Sequence, residues 1–401
     1  MKVIQMIRVK NQILKSIDFL LKMENCCGIF RFRKINGHLV PIGRKLIAFM
    51  LIPRYLIIIA YIISICMDNS LKIRNFDIET ISNFIHVTLN IVLLTEGALS
   101  IMNFVYFLQK NIYFVNKLSH IDLTLNIFGN PSFYYKARKY NRSFIFIYLT
   151  LYILSYIFYF VLEEDFITTF ELLLLIIDCG CHYNTCACYL FIKMLIDRLD
   201  ILNKHLTNII YFESANLFEF IKIHKSIDIS GFKKSYIDYI IPETDNKMRR
   251  LSVAFIHIGE AHQLINEIFN FHIFVTLIFT FINTIALLWT SVTYYTSTLK
   301  INKVLDIVIQ CWFEVSNMAL LSFICEDLRF KRYNTKILLN EIVMNYNLPK
   351  NMRIQAKELL ELLAMWPLRV TTYDLFSIDV KLLLNFISIL TTYLIILLQF
   401  N

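Results

Sequence analysis

Glycine and proline are scarce in this chain, at eight and six in 401 residues. Eight glycines leave no phosphate-cradling loop, and neither a GxSxG nor an HExxH pattern occurs. Charge is thin as well: 18% Asp, Glu, Lys and Arg, against about 25% in a soluble chain of ordinary composition. The nine cysteines are odd in number and lie mostly in or near apolar runs, which excludes a disulfide framework. No cleavable signal peptide is visible, because the first apolar run begins only near Ile47, behind a basic segment. Internal repeats, low-complexity tracts and transporter-like inverted symmetry are missing too. These gaps leave little room for an enzyme.

What is present is apolar and aromatic: 57% hydrophobic residues, 34 Phe and 22 Tyr, with a mean hydropathy of +0.55. Seven apolar runs stand out, at 46–67, 82–107, 143–162, 166–195, 268–290, 304–324 and 380–400. Between them Lys and Arg alternate: ten in the N-terminal segment, six, nine and eight in the second, fourth and sixth loops. The intervening loops hold two, none and two, so one side receives 33 of the 40 basic residues. By the positive-inside rule the N-terminus is cytoplasmic and the C-terminus extracellular. The net charge of +9 is then a topology signal, not a nucleic-acid surface. The expected fold is an all-α polytopic membrane protein of seven transmembrane helices with intracellular helical extensions. Its orientation is the reverse of a seven-span G-protein-coupled receptor.

Residues 1–45 read as a cytoplasmic segment, basic and amphipathic over Met1–Met23 with Ile4, Ile7, Leu14, Ile17 and Leu21 at helical spacing. Such a helix suits either the inner leaflet or a seat on the intracellular loops. Spans one to six occupy 46–324, with intracellular extensions at about 196–267. The fourth span looks longer than a bilayer, continuing through Leu199, Leu202, Leu206 and Ile209 to Ile223. A turn-rich interval, Ser226 to Pro242, is expected next, and then a helix from Met248 into the fifth span. Residues 325–379 read as two more intracellular helices, Glu326–Asn347 and Lys350–Trp366, broken by Pro349 and Pro367. Residues 380–401 form the last span.

Polar residues inside spans are costly and face the bundle interior. Tyr148, Tyr152, Tyr156 and Tyr159 recur at helical spacing in the third span, as do Glu171, Asp178 and His182 in the fourth. Asp306, Gln310, Glu314 and Asn317 do the same in the sixth. With the orientation above, Asn83, His86, Tyr156, Tyr159, Glu171, Asp178, Asn283, Asp306 and Gln310 lie in the outer half. Together they are the candidate pocket for a small organic ligand, because such sites are apolar with a few orienting polar groups. The same stripes would also serve simply to satisfy one another between helices. Asp178-Cys-Gly-Cys-His-Tyr-Asn-Thr-Cys-Ala-Cys188 offers sulfur and imidazole, but C-x-C places paired thiols on opposite sides of a helix. No metal or cofactor is expected. Asn141-Arg-Ser143 is the one clean N-glycosylation sequon, and it falls on the cytoplasmic side.

The last span, VKLLLNFISILTTYLIILLQFN, carries its polar residues in a line: Asn385, Ser388, Thr392 and Gln399 share one helix face. Phe386, Tyr393 and Phe400 run beside them. The face is either a buried contact within one bundle or one wall of a pore shared among subunits. Thr392-Tyr393, five apolar residues and Gln399-Phe400 match the TY-hhhhh-QF signature of insect gustatory receptors, which the chain resembles. Phe376, Ile378-Asp379 and Leu382-Leu383 resemble the segment that precedes it. Tyr373-Asp374 departs from the family pattern, where small residues would be expected, so the entry to the last helix should be shaped differently.

The resemblance implies a tetrameric, ligand-gated, non-selective cation channel of the plasma membrane of a sensory neuron. It also implies that the last helix lines a central pore. Gln399 and Phe400 would form the gate, Thr392 and Tyr393 would shape the moving helix, and Asn385, Ser388, Ile395 and Ile396 would lie along it. A ring of Phe400 closes a narrow pore by dewetting, whereas Gln399 amides replace water around a cation. The implied partners are a small-molecule tastant, Na, K and Ca cations, the lipid bilayer, and further copies or other gustatory receptors as homotetramer or heterotetramer. No nucleic acid is implied. A tyrosine-rich, sparsely polar pocket favours bitter or other non-sugar plant compounds over sugars. The alternative is a secondary transporter using Glu96, Asp178 and Glu314 as coupling carboxylates.

Overall fold

A computed structural model of the protein describes residues 2–26, 31, 33–35, 38–41, 43, 106–162, 169–223, 232–297 and 301–400, with isolated helical positions in 52–98. The first two expected spans fall almost wholly outside the described residues. Helix α1 is Lys2–Cys26, followed by a small hairpin of β1 (Arg33–Ile35) and β2 (His38–Val40). Next come α2 (Leu108–Thr124), a 3-10 turn at Ile127–Gly129, and four long helices. These are α3 (Pro131–Leu162), α4 (Thr169–Ile223), α5 (Phe232–Ser297) and α6 (Ile301–Met344). The chain closes with α7 (Lys350–Met365), the hairpin β3 (Thr371–Thr372) and β4 (Phe376–Ser377), and α8 (Val380–Phe400).

Helix length shows what belongs to the membrane. Among the described residues, Pro131–Phe158, Lys247–Val292 and Ile307–Met344 are long and apolar enough to cross one. The 55 residues of α4 extend about 82 Å and the 66 of α5 about 99 Å, against a hydrocarbon core of about 30 Å. Only the apolar stretches, such as 268–290 of α5, fit inside. The remainder projects from the bundle end that carries most of the basic residues, here called the basic end. The expected extension of the fourth span is present, with Leu199, Leu202 and Leu206 wholly buried. One expectation fails: of the interval to Pro242, the described part, residues 232–242, is not a turn, because α5 starts at Phe232 and runs through that proline. Pro242 removes one helical N–H, while Phe232, Tyr236, Tyr239 and Ile240 keep the apolar spacing of a helix.

The core is concentrated at the basic end. Helix α1 buries Val9, Ile13, Ile17 and Leu20 as part of the main apolar core, so it takes the packed seat rather than a place on the leaflet. Its buried stripe shares only Ile17 with the spacing read from sequence. Two buried ion pairs lock this region. Arg31 grips Glu24 with two nitrogens at 2.7 and 2.9 Å, reaches Asn111 and Asn184 at 3.2 Å, and lies 5.4 Å from the rings of Phe191 and Phe269. Arg198 grips both oxygens of Asp122 at 2.8 Å, and the Tyr134 hydroxyl donates to the same carboxylate at 2.8 Å. Buried charge survives only when paired and hydrogen-bonded, and both pairs meet that condition. The sequon Asn141 is buried as well, its amide donating to Ser16 O at 3.0 Å.

The passage from α6 to α8 sets how the last helix enters the bundle. Helix α6 ends before Pro349, which stands at the N-cap of α7, as the prolines indicated. Arg332 caps α7 by donating to Leu363 O at 2.7 Å and Trp366 O at 3.0 Å. The Trp366 ring lies against Gly259 of α5 so closely that a Cβ there would meet it at 2.5 Å. Between β3 and β4, Tyr373 (φ 48°) and Asp374 (φ 56°) both take the left-handed conformation, and Leu375 N closes the turn on Thr372 O at 2.8 Å. Small residues suit such positions, because a side chain there costs about 1–3 kcal/mol. The turn is held by Tyr373 N donating to Asn270 Oδ1 at 2.7 Å, by the Tyr373 ring edge-on to Phe274 at 5.6 Å, and by Thr371 Oγ1 donating to Asp374 Oδ1 at 3.1 Å. The unusual entry read from sequence is therefore a strained turn tied to α5.

Candidate functional site

Helix α8 leans on the bundle through one narrow face. Leu383, Phe386 and Leu390 are buried and pack with Met318 against Leu277, Phe281, Ile285, Leu288, Val315 and Ala319 of α5 and α6. The Phe281 ring meets Phe386 at 5.8 Å and Tyr393 at 6.5 Å, both edge-on. Asn385, Ser388, Thr392 and Gln399 are all exposed. At 100° per residue their mean direction lies about 160° from the buried face. The polar stripe therefore points away from its own bundle, which removes the intrabundle contact as its explanation. Thr392 Oγ1 returns its proton to Ser388 O at 3.0 Å. Ile395 and Ile396 are exposed beside the stripe. The Phe400 side chain lies outside the described residues.

A second polar assembly sits between α3, α4, α5 and α6. Asp178 Oδ2 accepts from the Tyr152 hydroxyl at 3.0 Å and the Tyr156 hydroxyl at 2.7 Å, and Oδ1 faces His182 Nε2 at 3.4 Å. On the other side of that ring, Nδ1 lies 3.1 Å from Asn317 Nδ2 and 3.2 Å from the Tyr148 hydroxyl. Tyr148 donates to Asn317 Oδ1 at 2.7 Å. With Asn317 donating to Nδ1, the imidazole proton falls on Nε2 and points at Asp178. Thr280 Oγ1 donates to Glu314 Oε2 at 3.3 Å, and Asn283 meets the same carboxylate. Phe313 lies against the His182 ring edge-on at 5.0 Å and against Tyr152 at 5.7 Å. Four hydroxyls, two amides, an imidazole and two carboxylates thus gather in one aromatic-walled cluster.

Of the pocket residues read from sequence, Tyr156 and Asp178 meet directly, and Asn283 meets the nearby Glu314. Gln310 lies half-buried one turn before Glu314 on α6. Asn83 and His86, and the side chains of Tyr159, Glu171 and Asp306, fall outside the described residues. The residues that tie the assembly together are Tyr148, Tyr152, His182, Glu314 and Asn317. Their i, i+4 and i, i+7 spacing was visible, but depth along the helix set them apart from the outer-half group. The cysteine run is helical, with Cys181, Cys186 and Cys188 buried. Among the described residues no group of three His, Cys, Asp or Glu side chains is placed to hold a metal ion.

The basic-end surface holds one further cluster. Lys117 Nζ and His257 Nδ1 both reach Glu260 Oε2, at 2.7 and 2.8 Å, and the rings of His120 and His257 stand 5.6 Å apart. Burial acts to raise the Glu260 carboxyl, but the Lys117 and His257 hydrogen bonds outweigh it, so its pKa falls below the ordinary value. His262, just below the apolar stretch of α5, is buried with Nε2 unpaired. Its pKa is pushed down to about 4 by that burial.

No curated protein matches the chain in sequence. The insect olfactory receptor OR5 from Machilis hrabei is similar in structure, with a TM-score of 0.64 at 12% identity over 98% of this chain and 100% of that one. The same receptor in complex with eugenol gives 0.59 at 12% identity, over 96% and 98%. That likeness is one of fold, a seven-span helical membrane protein. The model of the 7tm chemosensory receptors matches residues 18–401. The chain belongs to the 7tm chemosensory receptor family, a family of membrane receptors and not of enzymes.

Proposed function

We propose that this chain is a gustatory receptor that works as a tastant-gated, non-selective cation channel in the plasma membrane of a sensory neuron. The observation that carries this reading is the direction of the α8 stripe. A polar line turned away from its own bundle would face lipid in a lone chain, where unsatisfied amides are costly. Several copies around an axis, as homotetramer or heterotetramer with related receptors, turn the same line inward to water. Asn385, Ser388, Thr392 and Gln399 then line a path for Na, K and Ca, with the C-terminus outside and the N-terminus in the cytoplasm. Gln399 amides and Phe400 rings are about 100° apart on the helix, so a modest rotation exchanges a coordinating ring for a dewetting one.

The Tyr148–Tyr152–Tyr156–Asp178–His182–Asn317 assembly is the ligand site in this reading. The relative OR5 has been determined in complex with eugenol, a small-molecule ligand. Sparse polar groups and many aromatic rings favour bitter or other non-sugar plant compounds. A ligand acts on the gate only through differential affinity for two helix arrangements. Residues 325–379 then serve as the intracellular anchor where subunits meet, and Met365, Tyr346 and Leu375 supply exposed apolar surface for it.

The test is expression in a host cell with a tastant panel and current recording. Gln399→Ala is expected to alter permeation or selectivity at unchanged surface expression. Saturable, ion-coupled uptake without conductance would instead identify a transporter working through Glu96, which lies outside the described residues, Asp178 and Glu314.

A further inference from the structure

One face of α3 changes character abruptly along its length. Tyr135, Arg138, Lys139, Arg142 and Phe146 fall within an arc of about 100°, and all five are exposed. The same arc continues through Ile153 and Ile157, both at least half exposed, as the lipid-facing surface of an apolar span. Basic gives way to apolar between Arg142 and Phe146, a rise of about 6 Å. Arg138 lies about 6 Å on the other side of Arg142. The headgroup layer of one leaflet is about 5–7 Å deep, so Arg138, Lys139 and Arg142 span its thickness on the surface that meets lipid.

Among the described residues nothing neutralises the charge on this face. Helix α3 contains no Asp or Glu from Pro131 to Leu162, and among the described residues none of Arg138, Lys139 and Arg142 has an ion-pair partner. On the neighbouring α1, held by the Asn141 to Ser16 hydrogen bond, Lys15 is exposed as well. Asp18, the nearby acid of that helix, is engaged by Lys22 at 2.9 Å. Arg138 and Arg142 stand one turn apart, a spacing that lets two guanidinium forks share one phosphate group.

We infer that this face is a binding site for the phosphate headgroup of an anionic lipid in the leaflet at the basic end. Arg138 and Arg142 clamp the phosphate, Lys139 adds charge, and Phe146, Ile153 and Ile157 line the acyl chain. A bare topology signal requires only that the charges be present, in any order around the helix. Here they are aligned with the lipid-facing stripe and end where it begins. This inference rests on the bilayer placement and not on the channel reading, so the two can fail separately.

The experiment is a binding titration on the full chain, purified and monodisperse in detergent. The probes are fluorescent short-chain phosphatidylinositol bisphosphate, phosphatidylserine and phosphatidylcholine, with inorganic phosphate as competitor. The wild-type chain should bind the two anionic lipids more tightly than phosphatidylcholine. Arg138→Gln/Lys139→Gln/Arg142→Gln should weaken that binding about fivefold per charge, on the order of a hundredfold in all. Arg138→Lys/Lys139→Arg/Arg142→Lys should retain most of it and guards against misfolding. Lys204→Gln/Lys336→Gln/Lys357→Gln removes the same charge from exposed positions away from this face and should leave binding unchanged. Equal loss in that control, no loss in the α3 variant, or full displacement by inorganic phosphate overturns the site.

Discussion

The Phe281 ring meets Phe386 at 5.8 Å, while its chain neighbour Thr280 donates to Glu314 in the polar assembly. On α6 the same adjacency recurs: Asn317 bonds His182, and Met318 packs with Phe386 and Leu390 of the last helix. Adjacent residues on α5 and α6 thus touch both the candidate ligand site and α8. Lipid tails are as apolar as these side chains, so their hold on α8 is van der Waals packing rather than escape from water. Phe281→Ala should leave surface expression near normal and raise ligand-independent current, because α8 loses the rings that seat it. Phe281→Leu should give a smaller effect of the same sign. Recordings normalised to surface label decide this, and unchanged basal current argues against the route.

Tyr152 and Tyr156 both donate to one oxygen of Asp178. Hydrogen bonds to a charged acceptor are worth about 1.5–3 kcal/mol. Tyr156→Phe, or Tyr152→Phe, should shift the concentration for half-maximal response by about tenfold or more at equal maximal current. Distant Tyr333→Phe, on the exposed surface of α6, should not. A dose–response series measures it.

Arg198→Ala strands Asp122 as a buried, uncompensated carboxylate, which costs about 3–5 kcal/mol. A thermal melt of the detergent-purified protein should drop by several degrees. The double change Arg198→Met/Asp122→Leu should recover most of the loss, because no buried charge is left behind.

Much of this architecture can be read along the chain. The long α4, the break at Pro349 and the last helix announce themselves by apolar runs, proline and the Thr392-Tyr393 to Gln399-Phe400 signature. The stripe Asn385, Ser388, Thr392 and Gln399 was legible as a face, yet whether it turned toward or away from the bundle was not. Direction depends on Phe281 and Met318, which lie far off in sequence. Long-range pairs were equally hidden: Arg31 with Asn184, and Arg198 with Asp122, look like topology charges until the fold brings them together. Pro242 misled because a proline predicts an end, and α5 absorbs the single lost hydrogen bond. Tyr373 and Asp374 were flagged as a departure, but only the fold shows that both sit at left-handed φ and that Asn270 holds them there.

The pH response of stability has a defined sign. His262 has its pKa lowered to about 4 by burial, against about 6.5 in the unfolded chain. Between those values the unfolded chain takes up a proton that the folded one refuses, so stability falls as pH drops. The full window corresponds to about 3 kcal/mol. Glu260, with its pKa depressed, adds loss in the same direction at still lower pH. His262→Gln should flatten the melting temperature between pH 6.5 and 4.5 relative to wild type. A parallel slope in both proteins would remove His262 from the account.

A polar face of α8 that meets water in an open pore is read directly by thiol accessibility. Ser388→Cys, Thr392→Cys and Ile387→Cys would be compared with wild type under a charged, membrane-impermeant thiosulfonate during ligand application. Irreversible block of current is expected at positions 388 and 392, and none at 387, which points well away from the stripe, or in wild type. Block at 387 equal to that at 388, or no block at either stripe position, would contradict a water-facing stripe.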